Sequence, residues 1–600
     1  MENNHFANLL QSQALKYGDR VAIYDREQLT DAWQAYTWKQ LADQVDLAAL
    51  ALLEMGVVAA DRVGQFTQNK AQCLIVDYAL FSIRATVVPM YATSTEQQVS
   101  FIVDDAEIQV IFIGDQSQYN IAVDVALQSK TLKTIVSFDS KVVFNDKINS
   151  LHFADFLALG QKSGQKPAVD ALRQAAQNDD MACLLYTSGT TGNPKGVMML
   201  HSCFNEGMVI HKERLTSVSD SDISIAFLPL SHVFERTWCY FCIYMGVTIY
   251  INHRPIEIQQ TIKDVRPTLM CAVPRFWEKV YAGVQENIAK MSPFKKGMVT
   301  WALEVGRLHN MDFLRLDKKP SALLSFKYKV ADKLIFSKVK KTIGIENANI
   351  LPTAGAKLSD DINIFMQSMG VPIFYGYGLT ESTATVSCYT YKHYQIGSVG
   401  KVMPRVSVKI GEDNEILLKG KTIFPGYYKN DAANKAAFTE DGWFKTGDAG
   451  LFKDNVLTLT ERIKDLFKTS NGKYIAPQAI ETRLALDPYI EQIAAIGDER
   501  NYVTAIVAPS IPAIEAYAAQ NNIKYHGLDE LIQHEAIISL IDSRIKAGQV
   551  GMAPYEQIKK FTLIKKGFSI ESGELTNTLK MRRAVIMQKY KAQIDQMYVV

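Results

Sequence analysis

The stretch of this chain whose residue types most clearly suggest chemistry begins where an apolar run, Met181 to Tyr186, feeds into Thr187-Ser188-Gly189-Thr190-Thr191-Gly192-Asn193-Pro194-Lys195-Gly196. Glycines let a backbone approach an anion closely, while N–H groups, hydroxyls and a lysine supply donors to phosphate oxygens. The string is not the Gly-x-x-x-x-Gly-Lys-Ser/Thr loop of P-loop kinases and GTPases, because Lys195 follows Asn193-Pro194 and precedes Gly196. Phosphate binding by another type of loop is expected.

Five further strings follow in order: Leu228-Pro-Leu-Ser-His232, Tyr375-Gly-Tyr-Gly-Leu-Thr-Glu381, Trp443-Phe-Lys-Thr-Gly-Asp448, Glu461-Arg-Ile-Lys-Asp465 and Gly573-Glu-Leu-Thr-Asn-Thr-Leu-Lys580. Together with the loop after Tyr186, they resemble the motifs of the adenylate-forming superfamily, in that family's order and over essentially the whole chain. The family comprises acyl-CoA synthetases, adenylation domains of peptide synthetases, and luciferases. Two positions depart from its pattern: Asn577 stands where relatives commonly have proline, and Glu461 precedes Arg462 where glycine or aspartate is usual.

The resemblance implies activation of a carboxylic acid by ATP to an acyl-AMP, with release of pyrophosphate, followed by transfer to a thiol. It implies ATP and AMP contacts from Thr187, Ser188, Gly189, Thr190, Thr191 and Lys195, with Gly355 and Ala356 along the base edge. It assigns Tyr375, Gly376, Tyr377 and Gly378 to the nucleotide as well, with Tyr377 stacked on adenine. Thr380 would contact the α-phosphate, Glu381 and Thr187 would hold Mg2+, Asp448 the ribose hydroxyls, and Arg462 a second ribose or phosphate contact. Lys580 would stabilise the charge that develops in adenylation. The C-terminal domain would then swing about Lys464, bringing Gly472, Lys473 and Tyr474 to the pantetheine arm of CoA. His232 is expected between the nucleotide and acyl sites, as an orienting or gating group rather than a base.

Arg275-Phe-Trp277, with the basic segment that follows, resembles the long-chain acyl-CoA synthetase branch, so a fatty acid is the expected substrate and Trp277 the candidate gate of its tunnel. About twenty residues follow Lys580, with no carrier domain among them, so CoA is the expected acceptor. The alternative is an enzyme that adenylates another acid or loads a carrier-protein thiol.

These residues need elements to position them. Apolar runs at Val63–Phe66, Ala85–Val88, Val110–Ile113, Thr134–Ser137, Ala226–Pro229, Val247–Ile251, Leu269–Val273 and Ile350–Thr353 read as buried strands. Between them lie segments with helical spacing, such as Trp38–Met55 and Ala71–Ile83, an alternation that predicts α/β layers with largely parallel sheets. From about Val406 the strands shorten, and the final residues are mixed, with a helical Leu528–Gly548. The expected organisation is a large α/β N-terminal domain over 1–461, including a small β-subdomain at about 400–461, a hinge at 462–466, and a mobile α+β C-terminal domain over 467–600.

Composition sets outer limits. The 600 residues are 48% hydrophobic and 21% charged with a net charge of +2, so no nucleic-acid partner is implied. Seven scattered cysteines argue against a disulfide framework. Cys239-Tyr-Phe-Cys242 has metal-like spacing but no second pair, so it reads as core. No secretory signal and no run of the roughly 20 apolar residues needed to span a bilayer is evident, so a cytoplasmic location is expected. Residues 293–341 carry twelve Lys/Arg against four acids, a balance of +8. The segment predicts a solvated helical insertion, or a peripheral contact with an anionic membrane face. A homodimer is a further expectation.

Overall fold

The computed structural model describes residues 5–26, 32–187, 194–462, 467–470, 473–576 and 580–599. The strand that feeds the phosphate-type loop, Met181–Thr187, lies near one edge of a seven-stranded sheet. Its neighbours run in the order Asn149–His152, Thr134–Ser137, Val110–Ile113, Arg62–Phe66, Thr86–Met90, Met181–Thr187 and Lys195–Leu200. All pairs are parallel except the last, which is an antiparallel return from the loop. Val110–Ile113 and Thr134–Ser137 are buried at every position, as continuous apolar strands covered on both faces should be. The covering helices begin where the sequence signals them. Trp38–Glu54 opens with a capping box in which Thr37 Oγ1 accepts from Gln40 N–H at 3.2 Å and Gln40 Oε1 accepts from Thr37 N–H at 2.9 Å.

A second sheet orders Leu269–Met270, Ile223–Ala226, Thr248–Ile251, Val21–Arg26 and Trp33–Thr37, parallel except for the last pair. Here two expectations shift. The strand expected at Ala226–Pro229 is Ile223–Ala226, and residues 227–232 leave the sheet because side chains take the backbone bonds of Leu228 and Leu230. The strand expected over Leu269–Val273 is regular over Leu269–Met270 and continues as a parallel bridge between Ala272 and Thr353 before Pro274 opens a helix, Pro274–Ala289. Helix Val233–Met245 ends at Gly246, which is left-handed at φ +79°, and leads into strand Thr248–Ile251, within the run expected at Val247–Ile251.

The third sheet has eight strands: Leu351–Thr353 and Ile373–Tyr377 in parallel, then Ser387–Cys388, Lys401–Val402, Val456–Arg462, Phe444–Lys453, Glu415–Lys419 and Ser407–Ile410. The short strands after residue 400 therefore form no sheet of their own. They extend the sheet that carries Tyr377. Beyond residue 467, strands Ile490–Ile496, Val503–Pro509 and Ile558–Leu563 form a separate sheet with its own apolar cores. The helix expected over Leu528–Gly548 is two, Leu528–Gln533 and Glu535–Gly548, because His534 Nδ1 accepts from Ala536 N–H at 3.2 Å and caps the second.

Residues 293–343 are mostly helical: Pro293–Gly306, Ala322–Ala331 and Ser337–Ile343, with π-helical turns at Arg307–Phe313 and Asp332–Phe336 and a 3-10 turn at Leu314–Leu316. Cys239 and Cys242 are buried and free. Among the described residues, no helix is long and apolar enough to cross a membrane.

The core holds neutral histidines. Burial pushes His201 well below its usual value and His211 down to about 4. In the unfolded chain both groups titrate near 6.5, so between pH 6.5 and about 4 the unfolded state binds more protons and stability falls as pH falls. Each group contributes a slope of about 1.4 kcal/mol per pH unit in that window. Urea midpoints measured from pH 7 to 4.5 should decline steadily, and H201F should flatten the decline.

Candidate active site

The glycine-rich motif at Tyr375 ends strand Ile373–Tyr377 and turns sharply. A Cβ on Gly378 would lie 1.1 Å from the Ala384 carbonyl oxygen, so only glycine lets the chain pass. The turn that follows, Thr380–Ser382, leaves Thr380 and Glu381 half-buried. Tyr375 reaches back to the preceding loop: its hydroxyl donates to the Ala356 carbonyl at 3.1 Å and accepts from Leu358 N–H at 3.1 Å. The Gly355–Ala356 backbone is thereby fixed beside Gly376 and Tyr377.

Two motifs 71 residues apart meet at Tyr377, whose hydroxyl donates to Asp448 Oδ2 at 2.6 Å. Both side chains are buried. Asp448 in turn lies directly across the antiparallel ladder from Arg462. Tyr377, Asp448 and the Arg462 backbone are thereby brought together in one sheet.

Glu381 is held on another side. Tyr427 Oη donates to Glu381 Oε1 at 2.9 Å, and the Lys195 ammonium stands 5.1 Å from the centre of the Tyr427 ring. Thr187 and Lys195 face each other across the hairpin that brackets the loop. Residues Ser188, Gly189, Thr190 and Thr191 lie outside the described residues, as do Lys464, Gly472 and Asn577 and the side chains of Arg462 and Tyr474. Among the described residues no cluster of three or more His, Cys, Asp or Glu is arranged for a metal. A single carboxylate with a hydroxyl suits Mg2+, which keeps several waters and takes phosphate oxygens.

His232 caps helix Val233–Met245, its Nδ1 accepting from Phe234 N–H at 3.2 Å. Burial, and then the charge of Lys580, lower its pKa to about 4. The ring is therefore neutral at pH 7, with its proton on Nε2. The same interaction places the Lys580 ammonium, more than 300 residues away, in the neighbourhood of His232. The C-terminal unit also touches the rest of the protein where Arg275 Nη2 donates to the Glu491 carbonyl at 3.3 Å. Trp277 is fully buried, and its indole N–H donates to Thr353 Oγ1 at 2.9 Å, so opening a passage there would require breaking that bond. Lys473 stands over the Tyr555 ring within the C-terminal unit, at 5.6 Å.

The loop bearing His232 is held by residues that the sequence reading did not single out. Asn69 donates to the Leu228 carbonyl at 2.8 Å and accepts from Leu230 N–H at 2.8 Å, and Arg236 Nε donates to the Leu230 carbonyl at 2.7 Å. Glu235 Oε2 accepts from Leu228 N–H at 3.1 Å, and burial pushes its carboxyl well above the usual range. Polar residues one turn into an apolar helix were the available signal. Tyr427 was missed because a tyrosine after Pro425-Gly426 carries no charge to mark it.

The family model described as AMP-binding enzyme matches residues 6–428, and the model of its C-terminal domain matches residues 464–600. The chain belongs to the AMP-binding enzyme family. A long-chain-fatty-acid–CoA ligase of Mycobacterium bovis is 31% identical over 582 residues, covering 96% of this chain and 94% of that one. A chloroplastic long-chain-fatty-acid–acyl-carrier-protein ligase of Arabidopsis thaliana is 27% identical over 657 residues, covering 98% and 86%. Among solved structures, the adenylation domain of a carboxylate reductase from Mycobacterium chelonae superposes with a TM-score of 0.80 at 22% identity, covering 100% of this chain and 92% of that one. That likeness is one of fold.

The Tyr377–Asp448 bond generates a test. Removing a donor to a buried carboxylate forfeits about 1.5–3 kcal/mol. Y377F should therefore raise the KM for ATP and the Kd for AMP measured by calorimetry by about tenfold or more, and a much smaller rise in the AMP Kd would point to a bond of little weight.

Proposed function

We propose that this chain is an AMP-forming long-chain fatty acid–CoA ligase. The observation that carries the reading is similarity along nearly the whole chain to a ligase of that name, and the meeting of Tyr377 with Asp448 and of Tyr427 with Glu381 supports it. A fatty-acid carboxylate oxygen attacks the α-phosphorus of ATP, the α–β P–O bond breaks and pyrophosphate leaves. The thiolate of CoA then attacks the acyl carbon and AMP departs.

Tyr377 lies against the adenine, with Gly355, Ala356, Tyr375, Gly376 and Gly378 shaping its pocket. Asp448 and Arg462 hold the ribose, and Thr380 with the 187–195 loop holds the phosphates. Mg2+, held by Glu381 and Thr187, would offset the charge of the triphosphate. Lys580 supplies a positive charge at the α-phosphate and carboxylate, where charge develops in adenylation. Neutral His232 adds no repulsion to Lys580 and offers an N–H between the nucleotide and acyl sites. The chain divides near 462–466, and rotation of the C-terminal domain about Lys464 withdraws Lys580 and brings Gly472, Lys473 and Tyr474 to CoA. Trp277, with Thr353, closes the acyl passage.

Pyrophosphate release with palmitate, acetate or benzoate, each with and without CoA, tests the reading. Release should be strongest with palmitate, and palmitoyl-CoA should form. No stimulation by any acid would sink it, whereas release without a thioester would favour a carrier-protein acceptor, the acceptor in the Arabidopsis relative's name. K580A should lower palmitate-dependent release by about 10²-fold or more while largely sparing thioester formation from supplied palmitoyl-AMP and CoA.

The basic segment 293–341 supports a peripheral contact with anionic lipid, where a fatty acid resides. It exposes Phe294, Leu323 and Phe326 among its lysines, and Pro293, Phe294, Gly297, Met298 and Trp301 line a shallow apolar groove of about 370 Å³. Apolar side chains set among cations suit the interface of an anionic bilayer. The protein should sediment with phosphatidylglycerol-containing vesicles, be released by about 0.5 M salt, and ignore phosphatidylcholine vesicles.

A further inference from the structure

Glu381 cannot serve as a magnesium ligand unless its carboxylate is aimed, and the strand that carries it ends at Tyr377, four residues earlier. What aims it comes from a distant segment, Phe424 to Tyr428. Phe424 N–H donates to the Glu381 carbonyl at 2.8 Å, and the Tyr427 hydroxyl donates to Glu381 Oε1 at 2.9 Å. The segment is itself stitched to the strand leaving the phosphate loop. Tyr428 N–H donates to the Gly196 carbonyl at 2.8 Å, Met198 N–H to the Gly426 carbonyl at 3.2 Å, and Tyr427 bridges Val197.

Asn434 completes the clamp. Its Oδ1 accepts from Tyr427 N–H at 2.6 Å and its Nδ2 donates to the Tyr427 carbonyl at 2.9 Å, so both backbone polar groups of Tyr427 are bound by one side chain. The approach is close enough that a Cβ on Gly426 would stand 2.7 Å from Asn434 Oδ1, at a φ of +151°. Asn434 sits in helix Asp431–Ala437, which is capped by Asn430 through Ala433 N–H at 3.0 Å. The tyrosine therefore has a fixed backbone, a hydroxyl on the metal carboxylate, and a ring beneath the Lys195 ammonium. A hydroxyl donor holds a carboxylate in place without cancelling its charge, as an arginine would.

We propose that Tyr427 is a positioning residue for Mg2+-nucleotide binding: its hydroxyl sets Glu381, its ring seats Lys195, and Asn434 sets Tyr427. The inference rests on the ligase reading for the identity of the nucleotide complex, but its test does not require turnover. The full-length protein is titrated with Mn2+ in the presence of a non-hydrolysable ATP analogue and followed by electron paramagnetic resonance. Binding of AMP without metal is measured in parallel by calorimetry.

Y427F removes the hydroxyl and keeps the ring. It should weaken Mn2+ binding by about tenfold, leave metal-free AMP affinity unchanged, and show a kcat restored by excess Mg2+. Y427L removes the ring too and should add a rise in the KM for ATP that Mg2+ does not restore. N434A should show the Y427F pattern in weaker form, and it stands in if Y427F proves unstable by urea denaturation. Wild-type Mn2+ affinity in folded Y427F and N434A would overturn the proposal, as would equal loss of metal-free AMP binding. If wild-type protein released no pyrophosphate with any acid yet Y427F still lost Mn2+–nucleotide affinity, the ligase reading would fail and this one would stand.

Discussion

Arg236 and Asp77 form an ion pair with almost no exposure to solvent, and the geometry around the candidate site depends on it. Desolvating two charges is tolerable only when their remaining donors and acceptors are also satisfied. Here they are: Tyr240 Oη donates to Asp77 Oδ2 at 2.7 Å and Gln65 Nε2 to Asp77 Oδ1 at 2.9 Å, while Arg236 reaches Tyr240 Oη at 3.1 Å and Gln65 Oε1 at 3.2 Å. Asp77 lies on the helix Ala71–Ser82 that packs the seven-stranded sheet, and Arg236 on the helix that packs the five-stranded one. The pair therefore locks the two layers in register. The last donor of the guanidinium, Nε, goes to the Leu230 carbonyl and so fixes the loop that ends in His232. Losing either partner would strand a buried charge, at a cost of about 3–5 kcal/mol, and would release the loop with it.

Most of the architecture was legible in the sequence because burial on both faces writes continuous apolar runs. Val110–Ile113 and Thr134–Ser137 appear where the runs predict them. The misplacements share a cause. At Ala226–Pro229 the apolar residues continue past the end of the strand, because buried Asn69, Glu235 and Arg236 supply the hydrogen bonds that a neighbouring strand would have given. Hydrophobicity reports burial, not which partner satisfies the backbone. The same limit applies to the strands after residue 400: short, turn-separated segments look like a separate unit, yet Lys401–Val402 pairs with Ser387–Cys388 and so joins them to the strand of Tyr377.

For the site, motifs exposed the charged and glycine residues and concealed the neutral ones. Glu381, Asp448 and Lys580 are recognisable because few roles require such residues in such strings. Tyr427 and Asn434 work through single hydrogen bonds between segments far apart in sequence, which no local pattern encodes. Tyr377 was legible as a ring but not as a hydroxyl, since its bond to Asp448 depends on a ladder assembled 71 residues later.

The two carboxylates assigned to the nucleotide complex are each bonded to a tyrosine hydroxyl, Tyr377 to Asp448 and Tyr427 to Glu381. Carboxylates that brace the fold pair with arginines: Asp77 with Arg236, Asp180 with Arg84 and Asp46 with Arg173. The contrast follows from electrostatics. An arginine fixes a carboxylate and neutralises it, which suits a strut. A phenol fixes it through a neutral O–H and brings no charge of its own. His232, near Lys580, is kept neutral by burial and so adds no like charge beside that lysine. Arginine pairs thus tie layers of the fold together, while tyrosine hydroxyls reach Asp448 and Glu381 from segments distant in sequence.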